Sequence, residues 1–306
     1  MEARENDPPV RIYVMGTGDG KKTPEGHLNH GGYWRDENEW PLERAQFQTL
    51  YLHDDGSLDS FEAMEDDSSV TYTYNPEKPV PTVGGQLVGM FKIKSPEDGG
   101  PAVDDVPEFL DQWTLARNNL TEVIAAGGSH QKEGPEWIGA EEPYQLLKDR
   151  SDVLAFETDP LEDDTEVTGE VMIKLWVSST ASDTDFTVKL IDVYPMSDDY
   201  PEGYHLNLSD TILRARYRNS WTDPEMMTPG EPAEVSITLW PTSSVFKKGH
   251  RIRLDISSSN FPRFDVNPNT GEPVGRHTHM LKADNTIHTG ADHPSRIVLP
   301  IIPAVE

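Results

Sequence analysis

The stretch Val171-Met172-Ile173-Lys174-Leu175-Trp176-Val177 decides the fold class of this 306-residue chain. Aliphatic side chains occupy every second position, and Met172, Lys174 and Trp176 stand between them. This period of two is typical of a β-strand with one face buried and the other in water. Ile252-Arg253-Leu254-Asp255-Ile256 repeats the pattern. Both stretches therefore predict a sheet that covers a core with one face.

Further strands are predicted on both sides of these two stretches, separated by turns rich in glycine and proline. They are Arg11–Met15, Thr49–His53, Ser69–Tyr74, Val153–Glu157, Phe186–Tyr194, Ile212–Tyr217, Val235–Leu239 and Ile297–Ile302. Strands in such close succession predict an all-β sandwich rather than βαβ units. The stretch from Asn267 to His293 predicts an irregular loop.

Residues 93–149 differ in character from the rest of the chain. Asp111–Ala126 carries apolar residues at three- and four-residue spacings, which predicts one amphipathic helix. We therefore expect a partly helical insertion, or lid, on the β framework. Its residues Trp113, Leu115 and Trp137 either border a substrate pocket or pack on the sandwich, and both alternatives stay open.

The charge balance restricts the partners. The chain has 54 acidic and 26 basic side chains and a formal net charge of -28. Nucleic acids and anionic membrane surfaces are excluded as partners because like charges repel. The acidity is either a solubility adaptation of the surface or a local site for a cationic ligand. Dispersed groups such as Glu65–Asp67 and Glu162–Asp164 favour the first alternative.

The chain contains no cysteine, which excludes disulfides, thiolate zinc sites and a cysteine nucleophile. Met1–Pro9 is charged, and no window approaches the ~20 apolar residues of a membrane span. We expect a soluble chain with no targeting segment and no cofactor, and its compartment stays open.

A series of motifs runs in order along nearly the whole chain. The longest is Gly249–Asp265, with the sequence GHRIRLDISSSNFPRFD. The others are Pro9–Gly16, Trp34-Arg35, Trp40-Pro41, Tyr51-Leu52, Asp152–Leu154, Thr168-Gly169, Ser182–Phe186, His293–Ser295 and Leu299-Pro300. In this order they resemble the C-terminal jelly-roll domain of CocE/NonD hydrolases of the X-Pro dipeptidyl-peptidase type.

The resemblance implies a galactose-binding-like jelly-roll β-sandwich over residues 1–306. This domain would pack on an α/β-hydrolase catalytic domain, located upstream or in a separate chain, and help to close its substrate cleft. Family members are serine hydrolases that cleave small ester or amide substrates, including X-Pro peptide bonds. The resemblance suggests a bacterial protein that is either cytoplasmic or secreted. Whether the protein forms a homo-oligomer stays open.

The resemblance transfers no catalytic residue to this chain. The serine, acid and histidine of the family's triad precede the jelly roll and would lie upstream of Pro9. Gly128-Ser129-His130 is the nearest imitation of a nucleophile elbow, but it lacks the preceding strand and the second glycine. Whether the chain is a fragment, a split-gene product or a stand-alone protein stays open.

Four histidines invite a metal hypothesis. His277 and His279 would lie on one face of a strand, which suits zinc, with His288 and His293 as further ligands. The surrounding stretch predicts a loop and has no sharp metal motif, so we expect ordinary histidines and no metal.

Two loops resemble ligand-binding motifs only in part. Asp265–Gly271 has alternating oxygen donors like a calcium loop, but its glycine comes one place late and the twelfth residue is Arg276. A turn held by Asx hydrogen bonds is the better interpretation. Gly16–Lys22 lacks the spacing of a phosphate-binding loop.

Aromatic residues mark the candidate contact surface. Phe261, Pro262 and Phe264 follow a strand in a polar loop, where a partner would have to cover them unless they join the core. Tryptophans near strands belong by default to the core or a sheet edge. The candidate interdomain or cleft-lining residues are Asn260, Phe261, Pro262, Phe264, Asp265, Trp34 and Trp40.

Three functions remain to be weighed. The first is a non-catalytic, substrate-shaping domain of a serine hydrolase, which would borrow its nucleophile from elsewhere. The alternative is a stand-alone carbohydrate-binding jelly roll that uses Tyr33, Trp34 and Trp40. A weaker third hypothesis is a metal-dependent enzyme that uses His277 and His279.

Overall fold

The computed structural model describes residues 8–84 and 129–303, apart from 136, 138 and 274. The predicted helix Asp111–Ala126, with Trp113 and Leu115, lies outside the described residues. The strands are β1 (Val10–Met15), β2 (Gly32–Glu37), β3 (Gln46–Leu52), β4 (Leu58–Asp59), β5 (Ser69–Tyr74), β6 (Leu154–Glu157), β7 (Thr165–Gly169), β8 (Met172–Ser179), β9 (Asp185–Tyr194), β10 (Tyr204–Arg214), β11 (Ala233–Thr238), β12 (Thr242–Phe246), β13 (Arg251–Ser257), β14 (Ala283–His288) and β15 (Arg296–Ile302).

These strands form two sheets. The larger has 11 strands, eight of them in the order β2-β1-β12-β7-β15-β8-β14-β5, with β11 paired to β8 and β3 paired to β15 and β4. The smaller has four strands in the order β10-β9-β13-β6. The predicted all-β sandwich is confirmed. Among the described residues, no helix is long and apolar enough to span a membrane.

The main core lies between the two sheets. Strand β8 contributes Ile173, Leu175 and Val177, and strand β13 contributes Leu254 and Ile256, all of them fully buried. The alternation of both stretches thus places their aliphatic side chains on the inner faces, as predicted.

The structure corrects two predictions. Part of the expected loop Asn267–His293 is strand β14, which pairs with β5 and β8. The polar sequence Ala-Asp-Asn-Thr-Ile-His hides this strand because its neighbours, rather than its own composition, hold it. The predicted strand Ile212–Tyr217 instead begins at Tyr204 and ends at Arg214, and a short 3-10 helix follows at Ala215–Tyr217.

The outer face of the smaller sheet carries a buried polar layer. Lys189, Arg253 and Asp255 project from it and are at most 3% exposed. Segment 129–135 and the loop after β13 cover this layer, and they anchor to strand β10 at its edge.

Candidate interdomain site

The loop after β13 is fixed to the chain that follows β5. Ser259 Oγ accepts a hydrogen bond from Val80 N at 2.8 Å. Phe261 N donates to Val80 O at 2.9 Å, and Thr82 N donates to Phe261 O at 2.7 Å. Since the backbone of Phe261 is held on both sides, the residues after it leave the sheet in a defined direction.

Asn260 secures the same loop from below. Its side chain is fully buried and donates from Nδ2 to Asp210 Oδ2 of β10 at 2.7 Å. Arg263 forms an ion pair with the other oxygen of that carboxylate. Asn260 therefore positions the loop and does not itself face outward.

The outward part of the loop is aromatic. Phe261, Pro262 and Phe264 are half-buried, and the Asp265 side chain is 77% exposed. The Arg263 guanidinium lies 5.1 Å from the centre of the Phe264 ring. The structure thus brings four of the candidate residues together as one rim with an acidic end.

A pocket of about 260 Å³ opens behind this rim. Its walls are largely apolar, and two arginines lie among its lining residues. The lining residues include Phe261, Val266, Pro268, Arg214, Arg216 and His277.

A buried ionic cluster holds both arginines. Asp185 accepts two hydrogen bonds from Arg214, at 2.9 and 3.0 Å, and Asp183 accepts from Arg216 Nε at 2.8 Å. Asn267 Nδ2 donates to both carboxylates at 2.8 Å. Burial raises the pKa of the Asp185 carboxyl to about 6 while Arg214 opposes the rise, so this carboxyl is still ionised at neutral pH.

The two tryptophans lie on the first hairpin. Trp34 is 67% exposed on β2 and meets the Tyr13 ring edge-on at 5.2 Å. Trp40 lines a shallow pocket of about 390 Å³ with Leu208 of β10. Leu208 precedes Asp210, to which Asn260 is bonded, by two residues. Strand β10 therefore links Trp40 to the rim, whereas Trp34 packs on its own hairpin.

Ser129 and His130 are engaged in backbone contacts with β10. His130 Nδ1 accepts a hydrogen bond from His205 N at 2.9 Å, and its ring stacks on Tyr204 at 4.6 Å. Ser129 O accepts from Asn207 N at 3.2 Å. Burial lowers the pKa of His130 to about 4. This pair is a strand-edge contact and does not have the geometry of a nucleophile elbow.

Sequence reasoning missed one serine–histidine contact. Ser178 Oγ lies 3.0 Å from His288 Nε2, across strands β8 and β14. The two residues are 110 positions apart, so no local motif could indicate it. His288 also faces His293 at 5.7 Å, and within the described chain no carboxylate hydrogen-bonds to His288. A serine within a strand lacks the sharp turn that presents a nucleophile.

The histidines and the Asp265–Gly271 loop bear on the metal and calcium hypotheses. His277 and His279 are exposed, and the structure contains no group of three or more possible metal ligands in the part of the chain that it describes. In the Asp265–Gly271 loop, Asn267 Oδ1 accepts from Asn269 N at 3.0 Å, which is the Asx hydrogen bond expected from the sequence.

The order of the motifs along the chain points to one family. The family model of the X-Pro dipeptidyl-peptidase C-terminal non-catalytic domain matches residues 2–298. The chain belongs to this family.

Hydrolases are among the relatives of this family member. The cocaine esterase of Rhodococcus sp. (strain MB1 Bresler) is 36% identical over 96% of this chain and 42% of its own length. An alpha-amino acid ester hydrolase structure matches 97% of this chain and 41% of its own, with 29% identity and a TM-score of 0.69. An aminopeptidase from a marine sediment Thaumarchaeota archaeon matches 92% and 40%, with 26% identity and a TM-score of 0.66.

The chain thus spans less than half the length of these relatives. It is the non-catalytic C-terminal type of domain found in CocE/NonD-like hydrolases, whose catalytic domain is a separate part. The matches are to hydrolases rather than to carbohydrate-binding modules, and they favour the first functional hypothesis over its alternative.

Proposed function

We propose that this chain packs on an α/β-hydrolase catalytic domain and shapes the cleft of an enzyme that cleaves small ester or amide substrates. Acyl transfer would proceed through a serine of that catalytic domain. The observation that carries the proposal is the match of residues 2–298 to a non-catalytic hydrolase domain. The names of the relatives, an esterase, an ester hydrolase and an aminopeptidase, support the substrate class.

We further propose that residues 1–306 form one domain with an insertion at about 93–149. The family match runs through this region without dividing the chain, which supports a single domain. Trp137 and Leu147 are buried together with Val80, Val83 and Val153 outside the insertion, so the end of the insertion packs on the framework that flanks it.

The rim of Phe261, Pro262, Phe264 and Asp265 is the proposed contact with the catalytic domain. Its half-buried aromatic side chains have apolar surface left to bury, and the bonds of Asn260 fix the loop that carries them. A preordered aromatic rim loses little conformational entropy on association. Trp40, linked to the rim through β10, would extend the contact.

A chimera tests the proposed function. This chain would replace the matching part of the Rhodococcus cocaine esterase, and ester hydrolysis would be measured for the chimera and for the chain alone. We expect turnover by the chimera, and neither turnover nor fluorophosphonate labelling of the chain alone. Labelling of a serine in the isolated chain would overturn the proposal.

The contact surface is tested in the same chimera. Phe264→Ala should lower kcat/KM and the melting temperature, because it removes apolar area from the contact. Phe47→Ala is the matched control, since Phe47 is an aromatic residue of β3 that is 64% exposed. Equal effects of the two substitutions would rule out the rim as the contact.

A further inference from the structure

A third pocket, of about 400 Å³, opens on the outer face of the smaller sheet, away from the rim. We call it the His205 pocket. Its floor is one cross-strand row, because Val193 of β9 pairs with His205 of β10 on one side and with Arg251 of β13 on the other. Adjacent strands lie about 4.8 Å apart, so His205 and Arg251 leave the sheet on either side of Val193.

His205 presents a hydrogen-bond donor to this pocket. Its side chain is 3% exposed, and its Nδ1 lies 2.9 Å from Arg253 Nη1. A guanidinium has donors only, so Nδ1 must accept and the ring proton must sit on Nε2. Nε2 lies next to Gly203 in the pocket wall, and none of the described residues hydrogen-bonds to it. Nε2 is therefore open to the pocket, where a ligand acceptor can take the place of water.

Arg251 supplies the second polar contact. Its Nη1 donates to Thr158 O at 2.6 Å, and its nearest carboxylate, Asp159, lies 3.8 Å away and is fully exposed. An ion pair at that distance and exposure contributes little. The remaining nitrogens of Arg251 are available to an anion.

The acids of the pocket are already paired. Glu202 forms an ion pair with Lys132, and Glu157 lies 3.3 Å from Arg253. Asp149 is half-exposed and lies 3.7 Å from Lys148. Their charges are therefore offset by neighbours.

Burial and neighbouring basic groups keep His205 neutral. Its pKa is lowered to about 3, first by burial and then by Arg253, His130 and Lys148. The imidazole is thus neutral near pH 7, so that it can donate one hydrogen bond from Nε2 to a ligand.

We propose that the His205 pocket binds a small monocarboxylate. The carboxylate lies over Val193, accepts a hydrogen bond from His205 Nε2 and pairs with Arg251. The apolar body of the ligand packs on Leu146, Tyr194 and Met196, which line the same pocket. This inference is independent of the proposed hydrolase function.

Titration of the chain with benzoate tests the inference, with benzamide as a neutral ligand of the same shape. We expect saturable, roughly millimolar binding of benzoate and much weaker binding of benzamide. The imidazole nitrogen signals of His205 should show a proton on Nε2 in the free protein, and the Nε2 signal should shift on addition of benzoate.

Arg251→Gln should weaken benzoate binding by roughly tenfold or more, because a charge-assisted hydrogen bond is lost. Arg296→Gln is the matched control, since Arg296 also donates to a backbone carbonyl but lies on β15 of the other sheet. Unchanged affinity in Arg251→Gln, or equal binding of benzamide, would overturn the inference. If Arg251→Gln does not fold, the unaltered protein still provides a test. A His205 Nε2 signal that does not shift on addition of benzoate would overturn the inference.

Discussion

His205 makes the folded protein sensitive to acid. Its pKa is lowered to about 3 by burial and by Arg253, whereas an unfolded histidine titrates near pH 6.5. Between these values the unfolded state binds the extra proton, so stability is present above about pH 6.5 and falls as the pH is lowered. His130, with its pKa lowered to about 4 by burial, acts in the same direction.

Going from pH 6.5 to pH 5 should cost about 2 kcal/mol of unfolding free energy through His205 alone. His205→Gln keeps an acceptor for Arg253 and should remove this part of the pH dependence, as measured by urea unfolding at both pH values. His279→Gln, which alters an exposed histidine, should leave the pH dependence intact. An unchanged pH dependence in His205→Gln would contradict the assignment.

The amide of Asn267 is matched to two carboxylates. Asn267→Asp would place a third buried carboxyl beside Asp183 and Asp185. We expect the free energy of unfolding to fall by about 3 kcal/mol or more. The loss should shrink as the pH is lowered, because protonation relieves the repulsion. Urea unfolding at two pH values measures it, and Asn75→Asp, in a turn near the surface, is the control. Equal stability of the two variants would show that the cluster tolerates another charge.

Gln131 fastens segment 129–135 to the smaller sheet. Its Nε2 donates to Val83 O and Ser129 O, and its Oε1 accepts from Lys189 Nζ, all at 3.0 Å. Gln131→Ala would leave the Lys189 amine buried without this partner, at an expected cost of about 3 kcal/mol. Gln145→Ala removes a half-buried glutamine of the same region and should cost under about 1 kcal/mol.

The loss of stability in Gln131→Ala should first affect the region around segment 129–135. Asn207 N and Leu147 N donate to carbonyls of this segment, and their hydrogen exchange should accelerate before that of β13. If hydrogen exchange accelerated equally across both sheets, the segment and the sandwich would unfold as one unit.

At the scale of the whole molecule, the net charge of -28 opposes the compact state. Raising the salt from about 0.01 M to about 0.15 M shortens the screening length from about 30 Å to about 8 Å. The melting temperature should rise over this range because repulsion between surface carboxylates is screened. A melting temperature that is constant or falls with NaCl would indicate that the surface charges are already balanced locally.

The sequence predicted the strands that contain strong alternation, and it failed where alternation is absent. Strand β14 has two inward aliphatic positions at most and is held by β5 and β8 on either side. Of the candidate site, Phe261 to Asp265 form one rim, but the inward direction of Asn260 was not predictable. Its partner Asp210 is 50 residues away, and a local pattern carries no information on such a contact.

The sequence by itself determined the all-β class, the inner face of β8 and β13, and the family, because alternation and ordered motifs are properties of short stretches. Only the tertiary structure decided which polar groups meet: Asn267 with Asp183, Gln131 with Lys189, and His205 with Arg253. These pairs lie between 48 and 84 residues apart. Their bonds depend on strand register and burial, which arise only when the two sheets have formed.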